Sequence, residues 1–167
     1  MFFNGLLTME RPYDKIAARL SAAGERDVRL RAVVDALWTG LAETGVSWVG
    51  FYLHEGRDDL VLGPYRDKPA CSPIGLHGAC GRAFTSRRPL IVRDVSALGA
   101  NYIACDPRDR SEVVIPLLEA DGTCRGVLDL DSHEPAAFDA RDVAGLLSVL
   151  RASGLTSAAG CGEPDVV

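Results

Sequence analysis

One cysteine in this chain stands where packing gives it no reason to be. Cys105 lies in IACDPRDRSEVVIPL (residues 103–117), after an apolar pair and before alternating charges that run into a strand. Free cysteine is among the most buried residue types, so the position asks for chemistry. Arg108 and Arg110 close by favour thiolate, the reactive form. A lone reactive cysteine would suggest acyl transfer. One accompanied by two more in irregular or loop-adjacent positions, Cys71 and Cys80, suggests oxidation followed by disulfide exchange. Structural zinc uses close pairs such as C-x2–4-C, and the gaps of nine and 25 residues between these three supply none, so no metal is expected. The other two, Cys124 and Cys161, fall at a hairpin turn and in the C-terminal tail, and an inert buried thiol is the competing reading throughout. An odd count of five cannot close into a complete disulfide framework.

Carboxylates supply the second half of a possible reaction. In VLDLDS (127–132), strand alternation puts Val127, Asp129 and Asp131 on one face and Leu128 and Leu130 on the other. The two aspartates then lie roughly 6–7 Å apart along the strand. A two-residue turn at Asp121-Gly122, the strongest short hairpin signal, sets Asp131 opposite Glu112 and Asp129 opposite Val114. Side chains so opposed share a face with Cβ atoms about 4.5–5.5 Å apart. Like charges at that distance destabilise a sheet, whereas two carboxyls in one partly buried place share a proton and raise one pKa. That makes a proton donor at neutral pH. The competing reading is a solvated polar face of an antiparallel sheet. Pro116, lacking an N–H, is where a bulge would fall.

The elements that must position these groups can be read from periodicity. Apolar residues at spacings of three and four from Tyr13 to about Thr44 (Ile16, Leu20, Val28, Leu30, Val33, Val34, Leu37, Trp38 and Leu41) predict two helices broken near residues 22–26. Residues 46–56 switch to strand chemistry and turn into a second strand at 60–63. Residues 64–79, with three prolines and two glycines, predict an irregular loop, and one of that length in a compact domain is usually functional. A short helix at 79–89, a strand at 90–95 and a second irregular stretch at 96–111 follow. The hairpin 112–131 and a capped amphipathic helix at 138–152 complete an α+β domain. The expected domain is a single one over 1–167, with a core at about 13–152 and tails at 1–12 and 153–167, the latter frayed.

Composition narrows the function classes. With 47% hydrophobic and 25% charged residues in 167, the chain has the make-up of an ordinary globular domain. A net charge of −5 argues against nucleic acid as the main partner, which needs a basic footprint. No apolar run approaches the ~20 residues of a membrane span. MFFNGLLTMERPY lacks a basic n-region and is a poor signal peptide, with Met9 as a second possible start. The expected compartment is the cytoplasm, where thiols stay reduced.

Six segments, in order and at close to matching spacing, resemble the GAF-domain free methionine-(R)-sulfoxide reductases: WVGFYL (48–53), LGPYRDKPAC (62–71), HGACG (77–81), IACD (103–106), SEVVIPL (111–117) and GVLDLDS (126–132). The resemblance covers roughly residues 13–150. It implies a GAF fold, in which a central antiparallel sheet backed by N- and C-terminal helices carries a pocket under its loops. It further implies reduction of free methionine-(R)-sulfoxide with no bound cofactor, thioredoxin as electron donor, and frequent dimerisation. By position, Cys105 is the implied attacking thiol, Cys71 the main candidate to resolve it, and Cys80 the third motif cysteine. Glu112, Asp129 and Asp131 match the acidic pocket residues, and Trp48 and Tyr52 match the aromatic ones; the hairpin reading makes the Glu112–Asp131 pair the expected proton donor. IGLHGACG departs from the family's usual I-P-x-G-R-G-V-C-G, being one residue shorter with His77 where arginine is common, and Asn101-Tyr102 replaces a more usual Gly-His before IACD. A non-catalytic GAF sensor is the alternative implied by fold alone, and a thiol peroxidase would leave the acidic pair unexplained.

Overall fold

The structure is a computed structural model that describes residues 10–102, 105–157 and 160–167. The Met9 start and Ile103-Ala104 of the IACD segment lie outside the described residues. Seven strands form one sheet: β1 (Trp48–Leu53), β2 (Asp59–Arg66), β3 (Ile74–Gly75), β4 (Leu90–Val92), β5 (Ser111–Leu118), β6 (Cys124–Ser132) and β7 (Asp165–Val166), in spatial order β3-β2-β1-β6-β5-β4-β7. Every pairing is antiparallel except the edge pair β4–β7.

Strand alternation divides the sheet into two faces. Val49, Phe51, Val113, Ile115, Leu117, Leu128 and Leu130 point into a core roofed by α1 (Tyr13–Ala17), α2 (Arg26–Leu41) and α4 (Ala140–Ala152). Leu30, Val33, Val34, Leu37 and Leu41 make the buried stripe of α2 at the expected spacing, but Val28 is turned to solvent. The first helix is also shorter than its apolar pattern predicts. Asp139 caps α4 and Asp142 accepts from the Asp139 N–H at 2.8 Å, a reciprocal capping box.

The opposite face carries Trp48, Tyr52, Val114 and Val127, and is covered by α3 (Ala79–Ser86) and the segments on either side of it. Here the sequence pattern understates the order. β2 runs on to Arg66, and a short β3 sits inside the proline-rich stretch. A 3-10 turn at Val95–Asn101 occupies much of the second irregular stretch.

The described residues of the tail, expected to fray, are instead tied to the sheet. The Ser157 N–H donates to the Leu118 carbonyl at 2.7 Å, and the Val167 N–H to the Ile91 carbonyl at 2.9 Å, which makes β7 the last strand of the sheet. Among the described residues, the one parallel pairing therefore comes from a two-residue strand with no periodicity to read.

Candidate active site

The last hairpin sets the acids. Glu112 pairs with Asp131 and Val114 with Asp129 across β5 and β6, while Trp48 pairs with Asp131 and Gly50 with Asp129 across β1 and β6. Glu112, Asp129, Asp131, Trp48 and Tyr52 therefore project from one face of three neighbouring strands. An oxygen from each of the three carboxyls lies within 4.8 Å of the others. Glu112 and Asp129 are 5% exposed and Asp131 is half-buried.

Burial is the first cause of their electrostatics. It pushes Asp129 up to about 7. Burial and then the neighbouring Asp129 charge push Glu112 and Asp131 well above the carboxylate range. The cluster thus retains protons at neutral pH, as groups sharing a site do.

The thiols come from the segments that cover this face. Cys80 sits in α3, buried, and its Sγ donates to Asp129 Oδ2 at 3.4 Å. A Cβ on the following Gly81 would collide with the Leu76 backbone, so this close approach requires glycine. Burial, followed by the nearby Asp129 and Glu112, pushes the Cys80 thiol well above its ordinary value, so it remains a thiol. Cys71 and Cys105 are exposed and joined by a disulfide, with Cα atoms 5.6 Å apart. The Cys71 loop is held from below: the Trp48 indole Nε1 donates to the Lys68 carbonyl at 2.8 Å, and the Tyr52 hydroxyl donates to the Cys71 carbonyl at 2.9 Å. Trp48 stacks on Tyr65 at 6.3 Å between ring centres and lies over Gly50, where any Cβ would meet its ring.

These groups enclose one cavity of about 40 Å³, with Cys105, Cys80 and the three acids in its lining and Trp48, Tyr52 and Tyr102 as aromatic walls. A cleft of about 160 Å³ opens beside it between Lys68-Pro69-Ala70 and Asp106-Pro107-Arg108, sharing Trp48, Cys105, Asp109 and Asp131. All eight residues singled out in the sequence line the cavity or, for Cys71, are bonded to a residue that does.

The guanidinium expectation is corrected. Arg108 is folded onto Asp106, donating from Nε at 3.0 Å and Nη2 at 2.9 Å, and Arg110 reaches Asp94 at 4.0 Å. Their charge is therefore spent on carboxylates. Cys124 is the first residue of β6 rather than part of the turn, and is buried with Cys161. His77 is exposed. Sequence reading missed Asp109, which is buried, lines the cavity and is pushed up to about 6 by burial and by Asp106. It also missed Tyr65 and Tyr102. The available signal for Asp109 was an acid in a charged run that ends directly at a strand.

Comparison with known proteins agrees with this fold. Residues 25–153 match the model of the GAF domain. A curated protein of Zymomonas mobilis is 36% identical over 136 residues, covering 81% of this chain and 82% of the other. The free methionine-R-sulfoxide reductase of Escherichia coli is 41% identical over 105 residues, covering 62% of this chain and 61% of that enzyme. Among solved structures, the free methionine-R-sulfoxide reductase of Neisseria meningitidis in complex with its substrate is 33% identical with a TM-score of 0.73, covering 86% of this chain and 87% of that one. The chain belongs to the GAF-domain family.

Proposed function

We propose that this protein reduces free methionine-(R)-sulfoxide to methionine, with Cys105 as the attacking sulfur and Cys71 as the thiol that resolves it. The observation that carries the reading is that Cys105, already disulfide-bonded to Cys71, lines the same cavity as Glu112, Asp129 and Asp131. The names of the Escherichia coli and Neisseria meningitidis relatives support it.

In this reading the Cys105 thiolate attacks the sulfoxide sulfur while the Glu112–Asp131 pair protonates the oxygen. The oxygen ends on Cys105 as sulfenic acid and methionine leaves with the electron pair. The Cys71 thiol then attacks the sulfenic sulfur, forming the disulfide and releasing water. A dithiol returns both cysteines to the reduced state by exchange, and thioredoxin is the proposed donor. Asp129 accepts the substrate ammonium. The Trp48 face packs against the S-methyl group and stabilises sulfonium character as it develops. In the disulfide form the cavity is too small for an amino acid, so the reduced loop opens to admit substrate.

The test supplies free methionine-(R)-sulfoxide with dithiothreitol and measures methionine from wild type and Cys105→Ser. Methionine from wild type alone is expected. Equal output from both removes the catalytic reading and leaves a small-molecule-binding GAF module.

A further inference from the structure

Glu112, Asp129 and the half-buried Asp131 make an acidic cluster with no ion pair to any cation among the described residues. Glu112 Oε1 and Asp129 Oδ1 are inaccessible and, among the described residues, accept no hydrogen bond from any group outside the acid cluster. Both side chains are nine-tenths buried or more and line the cavity. A second set of possible ligands, Asp106, Asp109 and His133, lies further out, but there Lys68 and Arg108 already sit on Asp106. The inner set is the one without a counter-charge.

Beside the inner set, on its Asp129 edge, stands a thiol the proposed reaction does not use. Cys80 Sγ stands 3.4 Å from Asp129 Oδ2. Zinc bonds of ~2.3 Å to sulfur and ~2.0 Å to oxygen at a tetrahedral angle put those two atoms about 3.5 Å apart. The edge is already the right length. A cavity of about 40 Å³ suits one ion with a water, and not an amino acid.

We propose that this cavity binds a single thiophilic divalent cation of the zinc class through the Cys80 sulfur and the carboxylates of Glu112, Asp129 and Asp131. Thiolate with carboxylates is a donor set for zinc or cadmium rather than for magnesium or calcium. Each ligand gives up its proton on binding, so the cation displaces protons that otherwise keep the cluster neutral. Because these acids are also those proposed to receive the substrate ammonium, cation and substrate exclude one another. That last clause rests on the reductase reading, whereas the binding itself does not.

The experiment titrates the oxidised protein, in which the Cys71–Cys105 disulfide removes both sulfurs from competition, with zinc chloride and with cadmium chloride. Calorimetry is expected to show one equivalent bound with proton release, and cadmium a sulfur-to-metal charge-transfer band. Cys80→Ser removes the band, Asp129→Asn weakens binding at least tenfold, and His133→Gln and Cys124→Ser leave both unchanged. Absence of saturable binding overturns the proposal. So does binding that survives Cys80→Ser and Asp129→Asn intact or is lost in His133→Gln. With reduced protein, zinc raises the apparent KM for the sulfoxide and a chelator reverses it. A protein that binds zinc but reduces no sulfoxide retains the metal site and loses only the reductase reading.

Discussion

The Tyr52 hydroxyl donates to the carbonyl oxygen of Cys71, so an aromatic side chain of the cavity wall holds the backbone of the cysteine bonded to Cys105. The indole of Trp48 does the same for Lys68, three residues earlier. The residues expected to contact substrate therefore also fix the loop that delivers the second thiol. Tyr52→Phe keeps the ring and deletes one partly buried hydrogen bond, a loss of about 1 kcal/mol. For a chain of this size that corresponds to a Tm lower by about 2–4 °C. Closure of the Cys71–Cys105 disulfide, followed by loss of free thiol after one sulfoxide turnover, is expected to slow by more than methionine release. Equal slowing of both steps would assign Tyr52 to substrate alone.

Gly50 is where β1 makes room for Trp48. The indole crosses over it, and a Cβ there would overlap the six-membered ring. Gly50→Ala forces the indole off the cavity wall, and overpacking of this kind costs about 1–3 kcal/mol. The displaced ring loses its hydrogen bond to Lys68 and its stacking on Tyr65. Expected are a lower Tm and a higher KM for sulfoxide. An unchanged KM would mean that the ring does not border the substrate.

The cavity acids make stability depend on pH, and the sign follows from their shifts. In the folded protein Asp129 titrates at about 7, and Glu112 and Asp131 hold protons well above the ordinary carboxylate range. In the unfolded chain all three ionise near pH ~4. Between those limits the folded state binds more protons, so stability falls as pH rises through the folded titration. Glu112→Gln keeps a neutral polar group and deletes one of the coupled sites. Its Tm relative to wild type is expected to improve steadily from pH 5 to pH 8. A difference that does not change with pH would show that Glu112 is ionised in the folded protein.

Most of the fold was legible because period and turn chemistry agree. Alternation alone put Val127, Asp129 and Asp131 on one face, and the structure has them there. The register was right for a partly different reason. The Glu119 N–H donates to the Thr123 carbonyl at 2.9 Å, so the turn spans Ala120–Gly122 and is one residue longer than the Asp-Gly pair suggests. Pro116 pairs with Val127 but Leu118 with Cys124, a bulge that puts one extra residue on β6 and restores the pairing of Glu112 with Asp131. What stayed hidden was set by long-range contact. Asp109 reads as one more charge in a solvated run, and only the fold turns it inward. Arg108 is three residues from the thiol in sequence, yet Asp106, between them, takes its guanidinium.

The two candidate resolving cysteines differ in a way that turnover can measure. Cys71 is bonded to Cys105 from an exposed loop, while Cys80 is buried in the cavity with its proton directed at Asp129. A resolving thiol must attack a sulfenic sulfur, and burial beside acids suppresses the thiolate needed for that. With sulfoxide and thioredoxin, Cys71→Ser is expected to release about one methionine per chain and then stall as a sulfenic acid that dimedone traps. Cys80→Ser is expected to continue turning over, because its sulfur enters no bond that forms or breaks. The reverse pattern, with Cys80→Ser stalled and Cys71→Ser active, would make the Cys71–Cys105 bond a by-product. The sulfenic acid would then be resolved from inside the cavity, and the opening of the Cys71 loop would serve only to admit substrate.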